Sequence, residues 1–218
     1  MPPVLLRHPP RLPESTHMNE MKHIAVYCGS NLGENRAYYE AAQAMGQAIA
    51  RRGSRLVYGG GRIGLMGTVA DAVLAAGGEV TGVIPVFLRE KEMAHDGLTE
   101  LIETEDMTSR RLKMIALADA FVALPGGLGT YEELFEVLSS AQLRLHNKPI
   151  GVLNSGGFFD PLLALMRHTA EQGFMPPANV GLLCVADTAE GLLAEMAAYR
   201  YQEAGKWIQP AWTREAAV

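Results

Sequence analysis

The sequence predicts a single-domain α/β fold, a doubly wound, Rossmann-like parallel sheet with helices on both faces. Three observations predict it. Short apolar or β-branched runs alternate with longer amphipathic stretches, the order reads βαβα throughout, and glycine clusters fall where a strand gives way to a helix. Ligands of such folds bind outside the carboxyl ends of the strands, so these turns are where the chemistry is sought.

Strands are expected over 23–28, 55–58, 80–84, 120–124, 150–153 and 182–185, each apolar enough to be buried on both faces. Between the first two, Tyr38, Ala41, Ala42, Met45, Ala48, Ile49 and Arg52 recur at helical spacing, and Gly53 stops the helix. The same periodicity places helices over 67–76, 109–118, 131–143, 161–172 and 189–199. The domain is assigned to residues 21–199. Residues 1–20 carry Pro2, Pro3, Pro9, Pro10 and Pro13 and are expected to form a disordered arm, and Val4-Leu5-Leu6 is too short for the apolar part of a signal peptide. Residues 200–218 form a tail in which Trp207 and Trp212 suggest packing, while Gln209-Pro210-Ala211 argues against regular structure.

At 218 residues, 48% of them hydrophobic and 20% charged, the chain has the composition of a folded globular protein. The formal charge of -5, from 19 basic and 24 acidic residues, gives no field that would draw nucleic acid or an anionic membrane. Any phosphate must therefore be held locally. No apolar run approaches the roughly 20 residues that cross a bilayer. Cys28 and Cys184 lie in apolar stretches, as small buried hydrophobes rather than a disulfide or metal pair, which points to the cytoplasm. His8, His17, His23, His95, His146 and His168 show no ligand spacing, so no metal is expected.

After the second strand the chain reads Gly59-Gly60-Gly61-Arg62-Ile63-Gly64, a G-x-G-x-x-G pattern that brings backbone N–H groups close to a phosphate. A dinucleotide site also needs an acidic residue ending the next strand, and that strand ends in Ile84-Pro85, which argues against NAD. The glycines equally suit tight strand-to-helix packing. The turn after 120–124 is more specific: Pro125-Gly126-Gly127-Leu128-Gly129-Thr130-Tyr131-Glu132-Glu133 offers exposed amides, a hydroxyl and the positive end of a helix, the requirements of a phosphate site. No Lys-Ser/Thr pair follows, so a Walker A loop is excluded. Thr130-x-x-Glu133 also has the form of a capping box, leaving Glu133 with a structural and a chemical reading at once.

Upstream, Thr108 reads as a helix cap, and Arg110 and Arg111 then fall in the first turn, where cations oppose the helix dipole. That placement points to an anionic partner; pairing with Glu103, Glu105 or Asp106 is the alternative. Cys28-Gly29-Ser30 ends the first strand near a helix start, with no base nearby in sequence to make Cys28 a nucleophile. No G-x-S-x-G elbow occurs.

Together, Cys28-Gly29-Ser30, Val57-Tyr58-Gly59-Gly60-Gly61, Gly64-Leu65-Met66-Gly67 and Pro125-Gly126-Gly127-x-Gly129-Thr130-x-x-Glu133 resemble the Lonely Guy (LOG) family. The likeness runs over 23–174 and takes in Ile84-Pro85, the segment from Met107 to Arg111, and His146-Asn147-Lys148-Pro149. It implies hydrolysis of cytokinin riboside 5'-monophosphates, and in many members AMP, to free base and ribose 5-phosphate, without a cofactor. It further implies Arg110 and Glu133 as the catalytic pair, with Gly126, Gly127, Gly129 and Thr130 on the 5'-phosphate and Glu92 near sugar or base. Gly29, Ser30, Gly60, Gly61, Arg111 and Met114 complete the substrate site, Arg111 standing where the family usually has Lys. A homodimer with sites near its interface is expected. The family is often labelled lysine decarboxylase, for which the sequence offers no pyridoxal-phosphate lysine context. The alternative of another class is a nucleotide or molybdenum-cofactor carrier of the same fold, which would bind without turnover.

Overall fold

The computed structural model describes residues 18–89 and 94–202. Strands and helices alternate: β1 (His23–Tyr27), α1 (Arg36–Arg51), β2 (Arg55–Tyr58), α2 (Gly64–Ala75), β3 (Val80–Pro85), the one-turn α3 (Val86–Arg89), β4 (Glu100–Thr104), α4 (Met107–Leu117), β5 (Ala120–Ala123), α5 (Leu128–Gln142), β6 (Ile150–Leu153), α6 (Asp160–Glu171), β7 (Leu183–Ala186) and α7 (Ala189–Ala198). They build a parallel sheet of seven strands in the order β4-β3-β2-β1-β5-β6-β7. The chain winds outward from β1 to β4 and then returns to β5 on the other side of β1. At that reversal Ile24 pairs with Ala120 and Tyr27 with Ala123, and a crevice opens at the carboxyl ends of the two strands.

Strand alternation assigns each side chain to one of two cores. Ile24 and Val26 of β1, with Ala120 and Val122 of β5, pack beneath α1, α2 and α7. Ala25, Tyr27, Phe121 and Ala123 pack beneath α4, α5 and α6. Both faces are covered, which is why these strands read as unbroken apolar runs. Each fully buried aliphatic or aromatic side chain stabilises by about 1.5–3 kcal/mol.

β4 has no counterpart among the expected strands. It is an edge strand with exposed Glu100 and Glu103, paired only to β3, so it lacks the apolar run that marks the others. Helix α2 starts at Gly64, three residues before the expected start at 67. Of the expected N-terminal arm only Met18, Asn19 and Glu20 are described; Asn19 is anchored, its side chain donating to Tyr199 O at 2.8 Å. The rest of that arm, and the tail from 203 with Trp207 and Trp212, lie outside the described residues.

Candidate active site

The turn after β5 enters α5 through Gly127, which occupies the N-cap with extended backbone (φ -100, ψ -154) and no capping side chain. Tyr131 starts the helical ladder by donating to Gly127 O at 3.1 Å, leaving the amides of Leu128, Gly129 and Thr130 as first-turn donors without a helical acceptor. The expected capping box is therefore corrected. Thr130 is the third helical residue, 3% exposed, and Glu133 lies in the second turn, because the glycine turn itself supplies the extended residue from which the helix begins. Among the described residues no side chain caps this helix end, which leaves its amides open to an anion.

A Cβ on Gly126 would lie 2.1 Å from Thr130 Oγ1 and 2.8 Å from the Gly29 nitrogen, and Gly29 N–H donates to Pro125 O at 3.0 Å. The turns after β1 and β5 are thus laced together. Between them lies a cleft of about 210 Å³ lined in part by Gly29, Ser30, Leu65, Pro125, Gly126 and Gly127. A larger groove of about 480 Å³ between α1 and α2 includes none of the expected site residues.

Helix α4 is capped by Asp106 rather than Thr108. The Asp106 carboxylate accepts the Ser109 N–H at 2.7 Å while Ser109 Oγ accepts the Asp106 N–H at 3.1 Å; the Ser109 N–H, and then the Ser109 hydroxyl at 2.8 Å, hold the carboxyl below its usual value by donating to it. A carboxylate both caps and complements the dipole. Arg110 and Arg111 consequently stand fourth and fifth in the helix, past the turn where the dipole penalty concentrates. Arg110 is 6% exposed; its Nε donates to Val83 O at 3.1 Å and its Nη2 to Gly59 O at 3.3 Å. The ends of β3 and β2 hold this guanidinium with carbonyl dipoles, and among the described residues it forms no ion pair. A buried cation held in this way is a ready anion partner.

Glu133 shares this space. Burial is the largest influence on its carboxyl and raises it; Arg110 lowers it, Glu132 raises it, Arg111 lowers it and Glu136 raises it, for a value of about 7. Charge on Glu133 and Arg110 is also felt by Tyr27 and Cys28 at the end of β1, both pushed up first by burial. The thiol of Cys28 is thus far from a nucleophile. The two residues read as a catalytic pair are brought together at the reversal of strand order. A carboxyl that titrates near neutrality beside a fixed guanidinium can take or give a proton and can carry negative charge against a cationic transition state.

The remaining expected residues are placed unequally. Gly29, Ser30, Gly126 and Gly127 line the cleft. Gly60 packs against Ile84, and Gly61 bridges to Ala94. Met114 is 1% exposed in the core beneath α4, away from any open surface. Glu92 lies outside the described residues. Arg111 pairs with Glu132 at 3.0 Å and Glu136 at 2.9 Å, neither of them among the acidic partners weighed from sequence. The spacing of Glu132 and Glu136, one helical turn apart on α5, is the signal that could have shown them.

Fold and site define a Rossmann-like α/β protein with an uncapped helix start at a glycine turn and an Arg–Glu pair at the strand-order reversal. Residues 66–196 match the family described as "Possible lysine decarboxylase". The chain is 49% identical over 174 residues to a cytokinin riboside 5'-monophosphate phosphoribohydrolase of Rhodococcoides fascians, covering 79% of this chain and 88% of the relative. It is 40% identical over 200 residues to one from Arabidopsis thaliana, covering 92% and 88%. The chain belongs to this family, the LOG family. Among solved structures, the molybdenum cofactor carrier protein of Chlamydomonas reinhardtii aligns with a TM-score of 0.62 at 23% identity, over 80% of this chain and 94% of that one. The molybdenum cofactor binding protein of Rippkaea orientalis aligns at 0.60 and 21%, with the same coverage. At these identities the likeness shows the fold.

Proposed function

We propose that the protein is a nucleoside 5'-monophosphate phosphoribohydrolase, cleaving the N-glycosidic bond of cytokinin riboside 5'-monophosphate, AMP or both. The observation that carries this reading is the meeting of buried Arg110 with a Glu133 carboxyl titrating near 7, beside the free amides of α5. The names of the relatives support it. The 5'-phosphate sits on the amides of Leu128, Gly129 and Thr130 and fixes the ribose. The bond from C1' to the base nitrogen breaks with its electron pair leaving on the base. Ionised Glu133 stabilises the oxocarbenium-like state and takes a proton from the water whose oxygen bonds to C1'. Arg110 neutralises charge on the phosphate or the departing base, and the base gains a proton as it leaves. A homodimer with sites near its interface fits exposed Leu112, Leu128 and Phe135 on α4 and α5, the helices that carry the pair.

The test is incubation with AMP, with isopentenyladenosine 5'-monophosphate and with adenosine, followed by chromatography for free base and ribose 5-phosphate. Release from the two monophosphates but scarcely from adenosine is the expected result. Equal turnover of AMP and adenosine would remove the phosphate role of the turn, and tight binding without base release would make the protein a carrier.

A further inference from the structure

We propose that Arg111, gripped by Glu132 and Glu136 across the gap from α4 to α5, is a positioning residue that holds the electrostatic balance around Glu133 for the reaction. The proposal rests on the reading of Glu133 as the reacting carboxylate.

Three carboxylates stand within little more than one turn of α5: Glu132 immediately before Glu133, and Glu136 one turn after it. Without a cation they would repel one another. Arg111 Nη1 lies 3.0 Å from Glu132 Oε1 and Arg111 Nε 2.9 Å from Glu136 Oε2, so two donors of the planar fork are committed to α5. The arginine side chain is only 16% exposed and Glu136 31%, so solvent screens this pair less than the pair with Glu132, which is 56% exposed. Its position on α4 directly after Arg110 also couples the two helices that carry the catalytic pair. The charged and titratable groups facing Glu133 are Arg110 and Arg111 from α4, Tyr27 of β1 with Cys28 just after it, and Glu132 and Glu136 on its own helix. In that set both arginines favour the ionised form of Glu133, and both neighbouring glutamates oppose it. An arginine here, rather than a point-charge lysine, can hold both glutamates at once.

The signs separate charge balance from simple support. Arg111→Ala removes a cation and releases two anions, so Glu133 ionises only at higher pH. The double substitution Glu132→Gln with Glu136→Gln removes two anions and does the opposite. Arg111→Lys keeps the charge with a poorer grip and returns most of the wild-type behaviour. The experiment measures kcat/KM for AMP against pH in each variant, with melting temperatures. Alongside it, the Glu133 carboxyl carbon is titrated by NMR without substrate. The acid limb and the NMR midpoint should move upward by roughly 0.5 to 1 pH unit in Arg111→Ala and downward in the double variant. A uniform fall in kcat/KM with both midpoints unmoved would overturn the proposal and make Arg111 a substrate ligand or a strut. If the NMR midpoints shift as stated but wild-type protein releases no base, the charge balance stands and the enzymatic reading is what fails.

Discussion

The turn after β2, with Gly59, Gly60, Gly61 and Gly64, and the turn after β5, with Gly126, Gly127 and Gly129, are both rich in glycine, but the fold needs those glycines for different reasons. After β2, Gly64 has φ +64, and a Cβ there would lie 2.3 Å from the Ser30 carbonyl carbon. A Cβ on Gly59 would lie 2.0 Å from Arg110 Nη2. These positions are closed by the protein itself, and one of them makes room for the Arg110 guanidinium. After β5 only Gly126 is closed in this way. Cβ atoms on Gly127 and Gly129 would meet nothing within 4 Å, and neither residue has a positive φ. Glycine that neither backbone nor packing requires leaves space for something outside the chain. The first turn is thus a scaffold for Arg110, and the second, with its open glycines, is the turn for which we propose the phosphate role.

Substitutions break or sharpen that contrast. Gly64→Ala combines left-handed strain with a backbone clash and should cost about 3 kcal/mol or more in urea unfolding, with activity lost through the fold. Gly126→Ala, blocked by Thr130 and Gly29, should cost about 2 kcal/mol by the same measurement. Gly127→Ala and Gly129→Ala should leave stability within about 1 kcal/mol, Gly129→Ala even gaining from helix propensity. Both should nevertheless raise KM for AMP by roughly 10- to 100-fold, because the added methyl enters the space of the phosphate and pushes it off a retained N–H, at the cost of about one charge-assisted hydrogen bond. Large destabilisation by either, or an unchanged KM, would erase the distinction between the turns. The smallest effect concerns pH. A carboxyl raised to about 7 in the folded protein contributes stability that is present below its unfolded value and lost as pH rises through 7. The melting temperature of Glu133→Gln relative to wild type should therefore increase between pH 5 and pH 8, and a flat difference would mean that Glu133 is not held away from its ordinary titration.

Much of this contrast was legible in the sequence, and the parts that were not have physical causes. The βαβα order and the turn from Pro125 to Glu133 could be read because buried parallel strands and strand-to-helix glycines leave local marks. Strand β4 left none, since an acidic edge strand lacks the apolar run. The Thr130-x-x-Glu133 spacing imitated a cap, although the helix begins at Leu128. The settings of the two arginines depend on residues remote in sequence, Val83 and Gly59 for Arg110, and Glu132 and Glu136 for Arg111. The residues around the arginines in sequence do not report such contacts, although the Glu132–Glu136 spacing on α5 hints at one of them, and the local reading placed both arginines against the helix dipole instead.

In the proposed mechanism Glu133, set beside Arg110 on the helix that follows the β5 turn, is the carboxylate of N-glycosidic hydrolysis. Single-turnover release of free base from AMP by Glu133→Gln at pH 8, where the wild-type carboxyl is ionised, tests it most directly. With no capping role to lose, the variant should fold as wild type does. A neutral amide can neither stabilise the oxocarbenium by charge nor accept a proton from water, so base release should fall by about 10²- to 10⁴-fold. Wild-type release by a folded Glu133→Gln protein would contradict the account.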